Sequence, residues 1–500
     1  MSKPKAFLKH SKAKKKAEQV LDTADDFQAA GVDFEEAAGK WRAGDAVKSM
    51  RFFSRAIDVY DRGLQKFPDS LDLAYNKARV LLEIATHPIL VQQLQAPLLE
   101  VLQQALDAHR YALNLDQDNA DALFNTAQVL TTIAEVFAKD PDRPDQDALQ
   151  SLEEALELQN RCLAIQELKL EQNIQQQDEA DAQGDTEDFQ PAPPEGNNDN
   201  IDDSADKASR DNEEQWFSVV EPVTKETLID TILAELGTLT TLCSILSSTT
   251  TSAPITSLAW IEEFSSKLLK TKLPILLRDA EPETVQEVAL TRANFISVLL
   301  EAGYKLGSID AATYKRERDE AFKSSDLTLD KNFVALLANA NSLISYNAAL
   351  ADRDITIAES QIPQRWNALS AAIANMATAS KISGPVPDDI AETHFIRGNC
   401  SLLQVKLGHP PVSYQPAITN AVQLLKNADT FYRNAAKLYQ DDEQKATGQL
   451  RGVVSRALLA GTDLETALTQ ANLGQTGEWV RGQVEDLIED GLISFNTSTT

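Results

Sequence analysis

Residues 71–81 read LDLAYNKARVL and residues 120–130 read ADALFNTAQVL, two stretches that share one frame and start 49 residues apart. Tyr75 aligns with Phe124, and each is followed three positions later by an alanine. Two helices cross closely only where a small side chain on one faces a bulky side chain on the other. The shared frame therefore predicts a repeated helical hairpin.

The rest of the chain also has helical patterning. Apolar residues recur at spacings of three and four from residue 22 to 170 and again from 216 to about 494, whereas the alternation typical of strands is missing. Gly and Pro number 19 each in 500 residues, which is low for a β-rich fold. The sequence predicts an all-α protein.

The second helix of each hairpin carries the more specific signal. Ala56, Tyr60, Gly63 and Pro68 follow one another in RAIDVYDRGLQKFPDS, and residues 112–119 read ALNLDQDN. This frame resembles the tetratricopeptide repeat, a helix-turn-helix unit of about 34 residues, although the unit here is longer. A further match lies downstream, with the residues Phe395, Gly398, Ala428, Tyr432 and Ala435.

The resemblance implies a right-handed superhelix in which the first helix of every pair lines a groove for a bound peptide or helix. It assigns to this groove the residues Asp72, Tyr75, Arg79, Leu82, Glu83, Asp121, Phe124, Gln128, Thr131 and Thr132. Tyr75 and Phe124 are either anchors for a bound segment or simple inter-helix packing, and the sequence leaves both readings open.

Composition divides the chain into six parts. We expect a flexible lysine-rich tail (1–21), N-terminal repeats (22–170), a disordered acidic insertion (171–215), a helical repeat-like region (216–386), C-terminal repeat-like helices (387–494) and a frayed end (495–500). The insertion holds 15 acidic and two basic residues and almost no apolar side chains, so burial cannot offset its ordering entropy.

The charge balance restricts the partners. Lys and Arg number 47 against 76 Asp and Glu, which gives a formal net charge of −29, and the insertion alone carries −13 of it. This charge repels nucleic acid and anionic membrane surfaces and favours a basic protein partner. The tail contains Lys12, Lys14, Lys15 and Lys16, which form either a nuclear import signal or a solvated lead-in to the first helix.

No pattern for catalysis is visible. The five histidines and three cysteines are scattered, without metal-ligand spacing, a nucleophile elbow or a phosphate-binding loop. We therefore expect no enzyme activity, cofactor or metal. The uncharged run 237–261 contains many Ser and Thr residues and a proline, so we expect no spanning helix there.

These patterns predict a protein-binding helical-repeat protein of the cytoplasm or nucleus. Its expected role is an assembly chaperone or adaptor for a basic client, such as a ribosomal protein or histone. The acidic insertion is either a binding element or a spacer, so one alternative is a scaffold subunit of a larger complex. The other is an enzyme with an unrecognised helical site. The oligomeric state is left open.

Overall fold

A computed structural model of the chain describes residues 21–184, 223–248, 255–352 and 360–493. Every regular element within these ranges is helical. The chain divides into two compact units, residues 1–168 and 169–500. The four lysines of the predicted import signal, residues 185–215 of the acidic insertion and the C-terminal end 495–500 lie outside the described residues.

The first unit consists of three helix pairs. Its helices are α1 (Ala24–Arg42), α2 (Ala46–Lys66), α3 (Leu71–Thr86), α4 (Pro88–Val91), α5 (Leu98–Leu115), α6 (Ala120–Phe137) and the N-terminal part of the long α7 (Asp145–Gly184). α1 packs on α2, α3 on α5, and the apolar side chains of α6 on those of α7. The first helices begin 47 and 49 residues apart, so the predicted repeated hairpin is confirmed.

Side-chain caps fix where these first helices begin. Thr23 accepts a hydrogen bond from the backbone N–H of Asp26, whose carboxylate in turn accepts from the backbone N–H of Thr23. Ser70 and Asn119 cap α3 and α6 in the same position through their side-chain oxygens. Each cap satisfies a backbone donor that the first turn of a helix leaves unpaired.

The first hairpin depends on one glycine. A Cβ atom built on Gly31 of α1 would lie 2.2 Å from the ring of Tyr60 on α2. Tyr60 is fully buried, with Ala56 and Gly63 on the same side of α2. The small and bulky residues of the repeat frame are therefore packing residues of the hairpin.

The lengthened connection between α3 and α5 has a structure of its own. It contains α4, whose proline stands in the first turn and whose Leu90 is fully buried in the main apolar cluster of the unit. The extra residues therefore add to the core of the first unit.

His109 on α5 is fully buried, and neither ring nitrogen has a hydrogen-bond partner among the described residues. Burial lowers the pKa of this imidazole to about 4, against roughly 6.5 in an unfolded chain. At a pH between these two pKa values, His109 binds a proton in the unfolded chain but not in the folded one. Stability therefore falls as the pH drops below about 6.5. We expect the protein to lose about 2 kcal/mol from this group between pH 7 and pH 5.

Urea unfolding of the wild type and of His109→Leu at both pH values measures this loss. The substitution is expected to remove the His109 part of the pH dependence, while His409→Leu, at an exposed loop position, leaves it in place. An unchanged pH dependence in His109→Leu contradicts the assignment.

α7 continues through Gly184, whereas the sequence predicts disorder from residue 171. The first 14 residues of the predicted insertion are therefore helical. Residues 171–184 read EQNIQQQDEADAQG, and Glu, Gln and Ala have high helix propensity. Composition alone shows that this stretch cannot build a core, but it does not prevent a helix that has already started from continuing.

The second unit is also built from consecutive packed helices. These are α8 (Lys225–Ser248), α9 (Ile255–Lys267), α10 (Leu273–Leu276), α11 (Pro282–Lys305), α12 (Ala311–Ala321), α13 (Phe333–Ala351), α14 (Ile362–Ala379), α15 (Pro387–Lys406), α16 (Gln415–Leu438), α17 (Asp442–Ala460), α18 (Leu464–Ala471) and α19 (Gly477–Glu489). From α13 to α18 each helix packs on the next one in the chain.

The hairpin of α15 and α16 repeats the glycine contact of the first unit. A Cβ atom on Gly398 would lie 2.5 Å from the ring of the fully buried Tyr432. Phe395 meets the same ring edge-on, with 5.6 Å between centroids. The predicted bulky and small positions thus face one another across this hairpin too.

Within the described parts of the chain, two helices are long and apolar enough to cross a membrane, judged by length and composition only. They are α8 and α13, and 61% and 56% of their most apolar windows are buried within the protein. α8 includes the start of the run 237–261, for which the sequence predicts no spanning helix. Core helices of soluble proteins have the same length and composition, so this is weak evidence for a membrane span.

Candidate protein-binding face

The first helices of the three pairs, α1, α3 and α6, lie side by side because α3 packs on both of the others. We call the side chains that they present together the first-helix face. All ten groove residues predicted from the sequence lie on α3 or α6. None of the ten is buried, and Asp72 and Asp121 are exposed.

Ion pairs connect α1 to α3 along this face. Arg79 pairs with Glu35, and Glu83 pairs with Arg42, while Arg79 also lies 3.9 Å from Glu83. Glu35 accepts a second hydrogen bond, from the hydroxyl of Tyr60. The two bases and two acids balance in charge. The four side chains are only 11% to 37% exposed, so both pairs are partly buried, and they connect α1 to α3 in one register.

Tyr75 connects α3 to α6. Its hydroxyl accepts a hydrogen bond of 3.0 Å from the side-chain amide of Asn125. Burial, and then the nearby charge of Asp121, raise the pKa of this phenol, so it stays protonated at physiological pH. The ring therefore has a fixed position on the first-helix face.

Phe124 has a different environment. It is half-buried and packs against a small apolar cluster that contains Leu123 of α6 and Cys162 of α7. These contacts are those of inter-helix packing, while the exposed part of the half-buried ring leaves the role of an anchor open as well.

The remaining predicted groove residues differ in what they offer to a partner. The hydroxyls of Thr131 and Thr132 donate to backbone carbonyls of their own helix, and Leu82 packs against the main apolar cluster. Asp72 and Asp121 both stand in the first turn of their helices. The face therefore carries two exposed carboxylates at matching ends of α3 and α6, an arrangement that suits a basic ligand.

Three residues of α1 that belong to this arrangement, Gly31, Glu35 and Arg42, are not among the residues predicted from the sequence. The repeat frame does contain a signal for Gly31. Gly31 precedes Ala78 by 47 residues, which is also the distance between the starts of α1 and α3, so it holds the small position of its own helix. Glu35 and Arg42 have no such signal. Their role arises from the side-by-side placement of α1 and α3.

Among the described residues, no group of three or more His, Cys, Asp or Glu side chains is placed to hold a metal ion. Cys162, Cys243 and Cys400 are buried, and the thiol of Cys162 donates a hydrogen bond to the backbone carbonyl of Ala120. Burial raises the pKa of Cys243 and of Cys400 to about 12, so both are protonated and weakly nucleophilic at neutral pH.

Comparison with known proteins gives two sequence relatives. The chain is 37% identical over 161 residues to the UPF0656 protein C926.02 of Schizosaccharomyces pombe, covering 31% of this chain and 35% of that protein. It is 35% identical over 92 residues to the uncharacterized protein YNL193W of Saccharomyces cerevisiae, covering 17% and 16%. The chain thus matches about a third or less of the length of each relative.

No family model matches the chain. A solved structure described as a circular tandem repeat protein with novel repeat topology and enhanced subunit contact surfaces covers 94% of this chain and 98% of its own. The two share 12% sequence identity, with a TM-score of 0.30.

Proposed function

We propose that this protein binds other proteins through the first-helix face and acts as an assembly chaperone or adaptor for a basic client. The observation that carries the proposal is the side-by-side packing of α1, α3 and α6, which leaves Asp72 and Asp121 exposed on the first-helix face. A basic client such as a ribosomal protein or a histone has the complementary charge. We place the function in the cytoplasm or nucleus, without direct nucleic-acid or membrane binding.

The repeats themselves belong, in this proposal, to the tetratricopeptide superfamily. Two features support the assignment: glycine meets tyrosine across the hairpin at Gly31 and Tyr60 and again at Gly398 and Tyr432, and the first helices pack in a row. In that family such a row winds into a right-handed superhelix with a concave binding surface.

The acidic insertion supports the choice of a basic client. Residues 171–215 carry −13 of the total −29, and such a charge acts over about 10 Å at 0.1 M salt. It speeds the encounter with a basic protein, while the first-helix face provides the selective contact. In this proposal the acidic insertion attracts the client and the first-helix face binds it.

The alternative of a scaffold subunit gives the insertion no role beyond spacing. Affinity purification from the protein's own cells, followed by mass spectrometry, separates the two. The comparison uses the intact chain and a variant in which the eleven acids between 185 and 215 become Asn or Gln, which keeps the length of the segment and all of α7. A chaperone loses its basic partners in the variant, whereas a scaffold subunit keeps its complex.

The same purification tests the face. Changing Tyr75 and Phe124 together to Ala is expected to reduce partner capture several-fold while leaving the helical circular-dichroism signal nearly intact. Tyr111→Ala is the matched control, because this exposed tyrosine lies on α5, a second helix. A collapse of the helical signal in the double variant assigns both rings to the core and contradicts their role as anchors.

A further inference from the structure

The second unit contains a cavity of about 500 Å³ between α12, α13 and α14. Its apolar lining residues include Phe322, Leu343 and Ala368. Its polar lining residues include two lysines and three asparagines. This volume and the mixture of apolar lining with a few polar groups are typical of ligand sites. We call it the α12–α14 trough.

The trough is positively charged in a strongly acidic protein. Of its charged lining residues, Lys315, Arg318 and Lys323 are cationic and Asp319 is anionic, an excess of two positive charges against a total of −29 for the chain. Such a local reversal of charge favours an anionic ligand.

Two of these cations are already engaged within the protein. Arg318 donates to Ser342 and to the backbone carbonyl of Asn339, each at 2.8 Å, and Lys315 pairs with Asp319. Lys323 is exposed and has no carboxylate partner among the described residues. Lys323 is therefore the lining cation that is available to a ligand.

Two asparagines of α14 indicate the length of the ligand that the trough holds. Asn367 and Asn375 lie eight residues apart on one helix, which corresponds to about 12 Å at 1.5 Å per residue. Neither side chain makes a hydrogen bond to another described residue. An extended chain rises about 3.3 Å per residue, so the two carboxamides match backbone groups three to four residues apart. Each carboxamide can donate to a peptide carbonyl and accept from a peptide N–H.

We propose that the α12–α14 trough is a second binding site, which takes an extended peptide with acidic residues on both sides of an apolar one. The apolar side chain rests on Phe322 and Leu343. An acidic side chain meets Lys323. The backbone runs along α14 and bonds to Asn367 and Asn375. This ligand is opposite in charge to the basic client of the first-helix face, so the two sites do not compete.

A fluorescein-labelled peptide of sequence GDDLDDG is the probe, and fluorescence anisotropy on the full chain is the measurement. We expect saturable binding, with an affinity about tenfold lower for Lys323→Glu, since one close charge pair is lost and a repulsion is gained. Lys381→Glu, at an exposed position beyond the end of α14, is expected to bind like the wild type. Asn367→Ala weakens binding, whereas Asn420→Ala on α16 does not.

The titration is repeated on the chain whose eleven acids between 185 and 215 are neutral, so that those acids cannot compete with the probe. If either form binds the probe and Lys323→Glu weakens this binding, the result supports the trough as the binding site. Absence of binding in both forms overturns the proposal, as does equal binding of a GNNLNNG or GDDGDDG peptide. Because the probe is acidic, this result is independent of whether a basic client binds the first-helix face.

Discussion

Replacing Gly31 by alanine is expected to destabilise the protein by about 2–3 kcal/mol, the upper range for overpacking a core. The new methyl group would lie 2.2 Å from the Tyr60 ring, where no real Cβ atom fits. Tyr60 cannot move away easily, because it is fully buried and its hydroxyl bonds to Glu35. Chemical denaturation followed by circular dichroism measures the loss.

Gly39→Ala is the matched control for this substitution. Gly39 lies on the exposed side of the same helix and has nothing within 4 Å of a built Cβ atom. Alanine there is expected to stabilise the protein by about 0.5–1 kcal/mol through helix propensity. If Gly31→Ala is as stable as Gly39→Ala, α1 and α2 do not cross as closely as described.

Replacing Arg318 by methionine is expected to cost about 2–3 kcal/mol, because it leaves buried acceptors without a donor. Arg318 is 3% exposed and joins α12 to α13 through Ser342 and the carbonyl of Asn339. Its ion pair with Asp319 measures 2.7 Å. Methionine fills much of the space but donates no hydrogen bond.

Arg316→Met on the same helix provides the comparison for Arg318. Arg316 pairs with the adjacent, exposed Glu317, and such surface pairs contribute about 0–1 kcal/mol. Denaturant midpoints for the two variants should therefore differ clearly. Equal midpoints would mean that the buried guanidinium does not hold α12 against α13.

The sequence predicts the helices of this protein well, because their periodicity and caps are local properties. The hairpin of α15 and α16 shows this, since Phe395, Gly398 and Tyr432 meet as their spacing indicates. The extent of α7 is predicted less well. Helix propensity carries it to Gly184 through residues that cannot form a core.

The candidate site can be predicted only in part from the sequence. The sequence predicts Tyr75 as a groove residue of its repeat, but its bond to Asn125 of α6 depends on how two repeats pack. Glu35 becomes part of the face because Arg79 and Tyr60 both reach it from other helices. No local pattern specifies such contacts, since their partners are 25 and 44 residues away along the chain.

The proposed function requires that this acidic helical-repeat protein capture a basic protein. The most direct test is the affinity for a fluorescently labelled core histone tetramer, measured for the intact chain and for the chain with eleven neutralised acids between 185 and 215, at low and high salt. We expect the intact chain to bind at least about tenfold more tightly, with the difference shrinking as salt screens the charges. Equal affinities for the two chains at low salt would contradict the claim.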